Sequence, residues 1–544
     1  MSLYYNRTFR WGIFAAFILF TGLMASRIIF FDGTFKQSAP SKWQSKPLKT
    51  GESWMNIFQD GKKIGYVRRM IASQGQGYKI DEETIMNINT MGMVHNLRVI
   101  SVSTTDMDFA FRTFRFEVAS GSFNFKIQGR IKEGILYLDH DGGTVEIPLE
   151  NRPYLISGIM QAVVASGLQE DNEMILFIFD PSTLGQAPAA IKMGGLEMVT
   201  YQGSLVEARK VTLEFKGTRQ HAWINEVGEV IREEGLLGIT LFRTDRRGAL
   251  EGLSPGAGDD ITRLASIPSN RIFENPELLD RLMVRVKFSG KEDVTGKEDV
   301  TGRDYVIDRD DATGNGKVTP LDRTKYPPHP LDQGRQRWKN GIVTIEKESL
   351  TPFRASLEAF KPGISDSSGR KFSGPLSGSW FQKMTREIDR RYKAPAPFIQ
   401  SGDPRIKYLA GRIAVPDDTP LETVEKIVAW IQKNIKRRPV LSLPNALSTL
   451  ENRMGDCNEH AALMAALCRA AGIPAGIETG LVYIDGRFYY HAWNLVFIGE
   501  WITVDALFNQ IPADVTHIAF ASGGSESQLD VIGLIGNLEI EIVD

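Results

Sequence analysis

The apolar residues of this chain follow two rhythms that change near residue 374. From about Ser53 to Arg247 they alternate with polar residues at a period of two, which predicts strands. The run "SWMNIFQDGKKIGYVRRMIAS" breaks at Asp60-Gly61, a hairpin signal, and further turns are expected at Ser120-Gly121, Glu133-Gly134 and Asp141-Gly142-Gly143. One helical insert, "YLISGIMQAVVASGL" (Tyr154 to Leu168), interrupts the pattern before "LVEARKVTLEF" and "QHAWINEVGEVIREEG" resume it. These segments predict an antiparallel β-rich domain over 50–248.

Residues 250–373 are less regular. "RLMVRVKFSG" and "GIVTIEKESL" predict strands of a small β domain carrying a long polar loop. On that loop GKEDVT occurs twice in tandem, from Gly290 and from Gly296; so polar a repeat reads as loop and implies no solenoid. "DATGNGKVTPLD", Asp311 to Asp322, aligns Asp311, Thr313, Asn315, Gly316 and Asp322 with a calcium loop. Only two carboxylates reach ligand positions and no helix pattern flanks them, so an Asp/Gly-rich turn is the favoured reading.

From 374 to 544 the period lengthens to that of helices. Asp403-Pro404 opens one. Thr419-Pro420-Leu421-Glu422 opens another, with Thr at the N-cap, Pro at the first helical position and Glu at the third. Leu421, Val424, Ile427, Val428, Ile431 and Ile435 give it one apolar face. A shorter helix near Ala446 to Arg453 precedes one opening at Cys457, and three strands follow: "GIETGLVYI", "FYYHAWNLVFI" and "WITVDAL". The fold class is therefore α+β and multidomain.

A chain of 544 residues exceeds what one core supports. A net charge of −2 and the absence of a long like-charge block argue against nucleic acid as a partner. Residues 1–35 stand apart: Arg7 and Arg10 precede the uncharged "WGIFAAFILFTGLMA", and Arg27 and "IIFF" follow. Counted through Phe31, with Arg27 snorkelling, the run is about 21 residues or roughly 31 Å of helix. An uncleaved membrane anchor is the leading reading and a cleaved signal peptide the alternative. Both export the remainder, which predicts a single-pass inner-membrane protein with its bulk outside the cytoplasm.

Both cysteines lie in "NRMGDCNEHAALMAALCRAAGIP". If Cys457 opens a helix containing Cys468, the two are about 16 Å apart, beyond the ~7 Å a disulfide spans. A thiol nucleophile needs an anion-stabilising position, a base and a group that orients the base. Cys457 at a helix mouth meets the first need, because unpaired N–H groups and the positive dipole end face it. Of seven histidines, His491 lies mid-strand with Asp505 on the next strand. A two-residue turn between those strands places the pair on opposite faces, and a three-residue loop, Ile498 to Glu500, places them diagonally on one face. A metal site from Cys457, Glu459 and His460 lacks a second cysteine at ligand spacing; no metal and no cofactor are expected. Cys468 reads as core, His460 as a cap-side or exposed residue, Trp493 as packing on the His491 ring, and "HAWIN" (His221 to Asn225) as an ordinary strand.

"GDCNEHAALMAALCRAAGIPA", "YYHAWN" and "WITVDALF" together resemble the transglutaminase-like superfamily in its bacterial branch, over roughly Pro395 to Ser522. The resemblance implies a papain-like domain with Cys457 as nucleophile, His491 as general base and acid, and Asp505 orienting the imidazole. It implies a thiol enzyme acting on amide bonds of a protein or peptide substrate in the cell envelope. Animal members carry Trp after the cysteine where this chain has Asn458, so cross-linking is not implied. A non-catalytic envelope protein that keeps the domain as a scaffold is the alternative.

Overall fold

The computed structural model describes residues 50–544 except 91, 122, 141–142, 150, 182–183, 202, 216–217, 254–257, 289–295, 299–303, 310–315, 321–330, 355–391, 441–443 and 524–530. The expected membrane helix, most of the tandem repeat and both ends of the calcium-like segment lie outside the described residues. Among those described, no helix is long and apolar enough to cross a membrane.

The alternating N-terminal region folds into one sheet of fifteen strands. Strands follow one another outward from Gly51–Gln59, which pairs with both its sequence neighbour Lys62–Ser73 and the last strand, Ile239–Thr244. Neighbouring strands are antiparallel, save at the edge where Pro153-Tyr154 runs parallel to Glu173–Asp180. The Asp60-Gly61 and Glu133-Gly134 turns hold positive φ at both residues, as two-residue hairpins with a right-handed twist require. Along Lys62–Ser73 the buried positions include Gly65, Val67, Arg69 and Ile71, so one face of the sheet is interior. The expected helix forms at Ile159–Ser166 and buries Ile159, Ala162 and Val163 against that interior.

The boundary expected at 373 is crossed by strand pairing. Arg281–Phe288 pairs on one side with Ile342–Glu346 and on the other with the C-terminal strand Leu538–Ile542. Ile267-Pro268, just after the large sheet, pairs with Phe488-Arg487. The middle segment is thus built into the C-terminal unit through shared sheets.

In that unit the helix Cys457–Ala470 occupies the centre. It packs against helices Pro404–Ile413, Pro420–Asn434 and Ala446–Asn452 and against strands Ala475–Ile484 and Arg487–Phe497. Ala461, Leu463, Met464, Leu467 and Cys468 are buried around its circumference, the pattern of a helix enclosed on all sides. Its C-terminus closes at Gly472, with φ of +85°, before Pro474, and Ile473 N–H returns to the Cys468 carbonyl at 2.8 Å. The Pro420–Asn434 helix starts with the expected box: Glu422 N–H donates to Thr419 Oγ1 at 3.2 Å and Thr419 N–H to Glu422 Oε2 at 2.8 Å.

Candidate active site

Gly455-Asp456-Cys457 builds the mouth of the central helix. Asp456 is the N-cap; its Oδ1 accepts from Asn458 N–H at 3.0 Å, and Asp456 N–H donates to Glu459 Oε2 at 2.9 Å. Glu459 can fold back only because Gly455 has no side chain: a Cβ there would stand 2.3 Å from Glu459 Cβ. Gly455 therefore serves close packing under the helix mouth. The capping box also changes the electrostatics. Two buried carboxyl groups take up the helix's first N–H groups, so the positive helix end is not left for the thiol. Burial, reinforced by Asp456, pushes the Cys457 thiol well above its ordinary value. Burial and the neighbouring Glu459 also push the Asp456 carboxyl well up. The thiolate expected from position alone is thus corrected: Cys457 rests as a thiol, 0% exposed, and Ala492 N–H is among the groups drawing its pKa down.

The odd register brings Asp505 to His491. Phe497 pairs with Trp501 and Asn494 with Val504, so the loop holds Ile498, Gly499 and Glu500. Pairing stops at Val504, and Asp505 begins a tight turn in which it exchanges two backbone hydrogen bonds with Gln510, each 3.0 Å. His491 Nε2–H donates to Asp505 Oδ2. The other oxygen, Oδ1, accepts from Leu507 N–H at 2.8 Å and Phe508 N–H at 2.9 Å. The residues of "DALF" thereby fix the carboxylate by their own backbone. Phe508 stacks on the His491 ring at 4.7 Å and 12°, closer than Trp493 at 6.0 Å.

A fourth group completes the network and has no counterpart in the expected triad. His517 Nε2–H donates to Asp505 Oδ2 at 3.1 Å, and its Nδ1–H faces Asp514 Oδ1 at 3.2 Å. Burial alone would lower its pKa, but Asp514 and Asp505 outweigh burial and hold His517 up at about 9, so it is an imidazolium at neutral pH. Burial would likewise raise Asp505, yet His491 and His517 hold it well below the usual carboxylate range. His491 itself is pulled down, first by burial and then by the His517 charge, against the opposing pull of Asp505. Arg335 secures the Asp514 loop, donating to the Ala513 carbonyl, to the Asp514 carbonyl at 2.8 Å and to Glu348 at 2.8 Å. Glu348 in turn accepts from the Thr503 N–H and hydroxyl, both at 2.8 Å.

A family model described as the transglutaminase-like superfamily matches residues 407–506, which include Cys457, His491 and Asp505. The chain carries a transglutaminase-like domain. No curated protein matches the chain. Among solved structures, a β-barrel-like protein from Brucella abortus is 11% identical, with 36% of this chain and 95% of that one covered at a TM-score of 0.29. A candidate cysteine protease from Cytophaga hutchinsonii is 15% identical, covering 51% of this chain and 79% of that one at 0.26. The periplasmic domain of TgpA from Pseudomonas aeruginosa is 19% identical, covering 43% and 90% at 0.22.

The other residues singled out from the transglutaminase-like domain fall around this network. Cys468 is buried in the core and burial pushes its thiol up to about 12; both cysteines are free. His460 is cap-side and buried: Nδ1–H donates to the Asp456 carbonyl at 2.6 Å, and burial draws its pKa down to about 4. Trp493 donates from Nε1 to the buried Glu478 at 2.8 Å. "HAWIN" belongs to the strand Thr218–Ile224 of the large sheet, far along the chain from any cysteine. His491, Asp505 and His517 present possible ligand atoms within 4.8 Å of one another. The same atoms satisfy each other as donors and acceptor, so the cluster is complete as a proton-sharing network. Sequence spacing offered no signal for His517, Asp514 or Arg335, because they reach the site from a loop after the matched motifs and from a segment well before them.

Proposed function

We propose that the protein is a membrane-anchored, extracytoplasmic thiol enzyme that acts on amide bonds through a thioester on Cys457, as a peptidase, amidase or acyltransferase. The observation that supports the reading is the bond from His491 Nε2 to Asp505, which commits one ring nitrogen to the carboxylate, so that proton exchange would fall to Nδ1. In the reaction Cys457 Sγ would attack the carbonyl carbon while its proton moves to His491 Nδ1. Collapse of the adduct would break the C–N bond, with the amine leaving on that proton. Water or a second amine, deprotonated by His491, would then release the acyl group and restore the thiol. The resting pair is neutral on both sides, so charge would form only with substrate in place.

A thiol-directed acyl probe tests the reading. Wild type is expected to form a covalent adduct and Cys457→Ala to form none; equal labelling of the two rules out Cys457 as nucleophile. A second reading, a scaffold without activity, is favoured by the complete burial of Cys457. It requires that wild type stay unlabelled while the folded domain is intact by circular dichroism.

A further inference from the structure

The interior of the fifteen-stranded sheet is not filled. A cavity of about 130 Å³ lies between its curled walls and the helix Ile159–Ser166. The strand register grades one wall from apolar to polar. Met86 pairs with Leu97, then Thr84 with Val67 and Val99, then Glu82 with Arg69 and Ser101. The last row carries a buried ion pair, Arg69 Nε to Glu82 Oε2 at 2.5 Å. On the opposite wall Val211 pairs with Ala222 and Leu213 with Gln220.

Among the buried polar lining atoms that find no hydrogen-bond partner in the protein are Gln161 Oε1, on the helix, and Gln220 Nε2, on the strand. One is an acceptor and the other a donor, and leaving either dry is costly. A cavity of comparable size lined by aliphatic side chains accepts a ring the size of benzene, which sets the apolar body at roughly six to eight carbons. Glu82, Asp180, Glu233 and Glu234 also line the space, against Arg69 and His221. A carboxylate head would meet this acidic surplus and offer Gln161 no donor. An ammonium head would offer Gln220 no acceptor.

We propose that this cavity binds a small amphiphile, an alkyl body with an uncharged head that both donates and accepts hydrogen bonds, as a primary amide or an alcohol does. The site is separate from Cys457 and does not depend on catalysis. Gln220 and Gln161 hold the head, and the Val67, Leu97, Val99 and Leu213 side chains enclose the body.

A diazirine-bearing octanamide tests it on the full-length chain, with adducts mapped by mass spectrometry. Adducts are expected on the lining segments within 57–116, 155–161, 179–181 and 211–241. Unlabelled octanamide should compete at least tenfold better than octanoate or octylamine. Val99→Trp, which fills the cavity, should cut labelling at least tenfold. Gln220→Leu, which hardly changes the volume, should reduce the amide's advantage at least fivefold and decides the matter if Val99→Trp does not fold. Cys457→Ala should leave labelling unchanged. Adducts confined to other regions, equal competition by the three heads, preference for octylamine, or no adduct would overturn the proposal.

Discussion

His517 is a buried cation whose nearest charges are two carboxylates, and its effect on the site runs through Asp505. By sharing that carboxylate it weakens the pull of Asp505 on His491, so the imidazole that would receive the thiol proton stays neutral. His517→Gln retains a donor near Asp505 but removes the charge. The acidic limb of the pH profile for acyl-probe labelling of Cys457 is expected to move up by about one unit. A residue with only a packing role would lower the amount of active protein and leave the limb in place. Glu478 gives a second pH signature. Burial lifts it from 4.5 to about 7 against the opposing effects of Arg335 and Trp493. The folded state holds this proton more tightly than the unfolded chain. Its contribution is complete below about pH 4.5 and is lost as pH rises through about 7, at most about 3 kcal/mol. Glu478→Gln keeps an acceptor for Trp493, and its Tm is expected to fall less than wild type between about pH 5 and 8 in thermal melts.

Between the histidine strand and Trp501–Val504, an element-scale feature, the length of one loop, selects the chemistry. Three residues, Ile498 to Glu500, keep Asp505 on the face of His491, and Gly499 supplies the φ of +119° at its centre. One added glycine after Gly499 would slip the register and turn Asp505 to the other face. Acyl-probe labelling is expected to drop at least a hundredfold while far-ultraviolet circular dichroism still reports a folded protein. The central helix shows the complementary case, in which an element end is used up by its own cap. Asp456 and Glu459 satisfy the first N–H groups, which stabilises the helix and denies the thiol that charge.

Across the whole molecule, the site is held by parts from three stretches of sequence. Arg335 and Glu348 belong to the segment before the transglutaminase-like domain, yet they tie together the loop of Asp514 and the strand that leads to Asp505. Their side chains are only 7% and 13% exposed, so Arg335→Ala would leave Glu348 as a largely buried, uncompensated charge. A loss of about 3–5 kcal/mol in denaturant unfolding is expected, with slower labelling of Cys457. The strand Leu538–Ile542 reaches back to Arg281–Phe288 and closes the same unit.

Local rules were enough for much of this protein. Turn residues at Asp60-Gly61, the capping box at Thr419 and the alternating strands before residue 248 could be read directly, because each depends on neighbours within a few positions. Cys457, His491 and Asp505 were legible as candidates for a similar reason: their motifs are short, and strand pairing limits Asp505 to two registers. Tertiary structure alone decided which register holds, that the thiol rests uncharged under a capped helix, and that His517, Asp514 and Arg335 surround the carboxylate. Those outcomes depend on burial and on contacts between loops distant in sequence. Desolvation and charge coupling act through space, and no spacing along the chain encodes them.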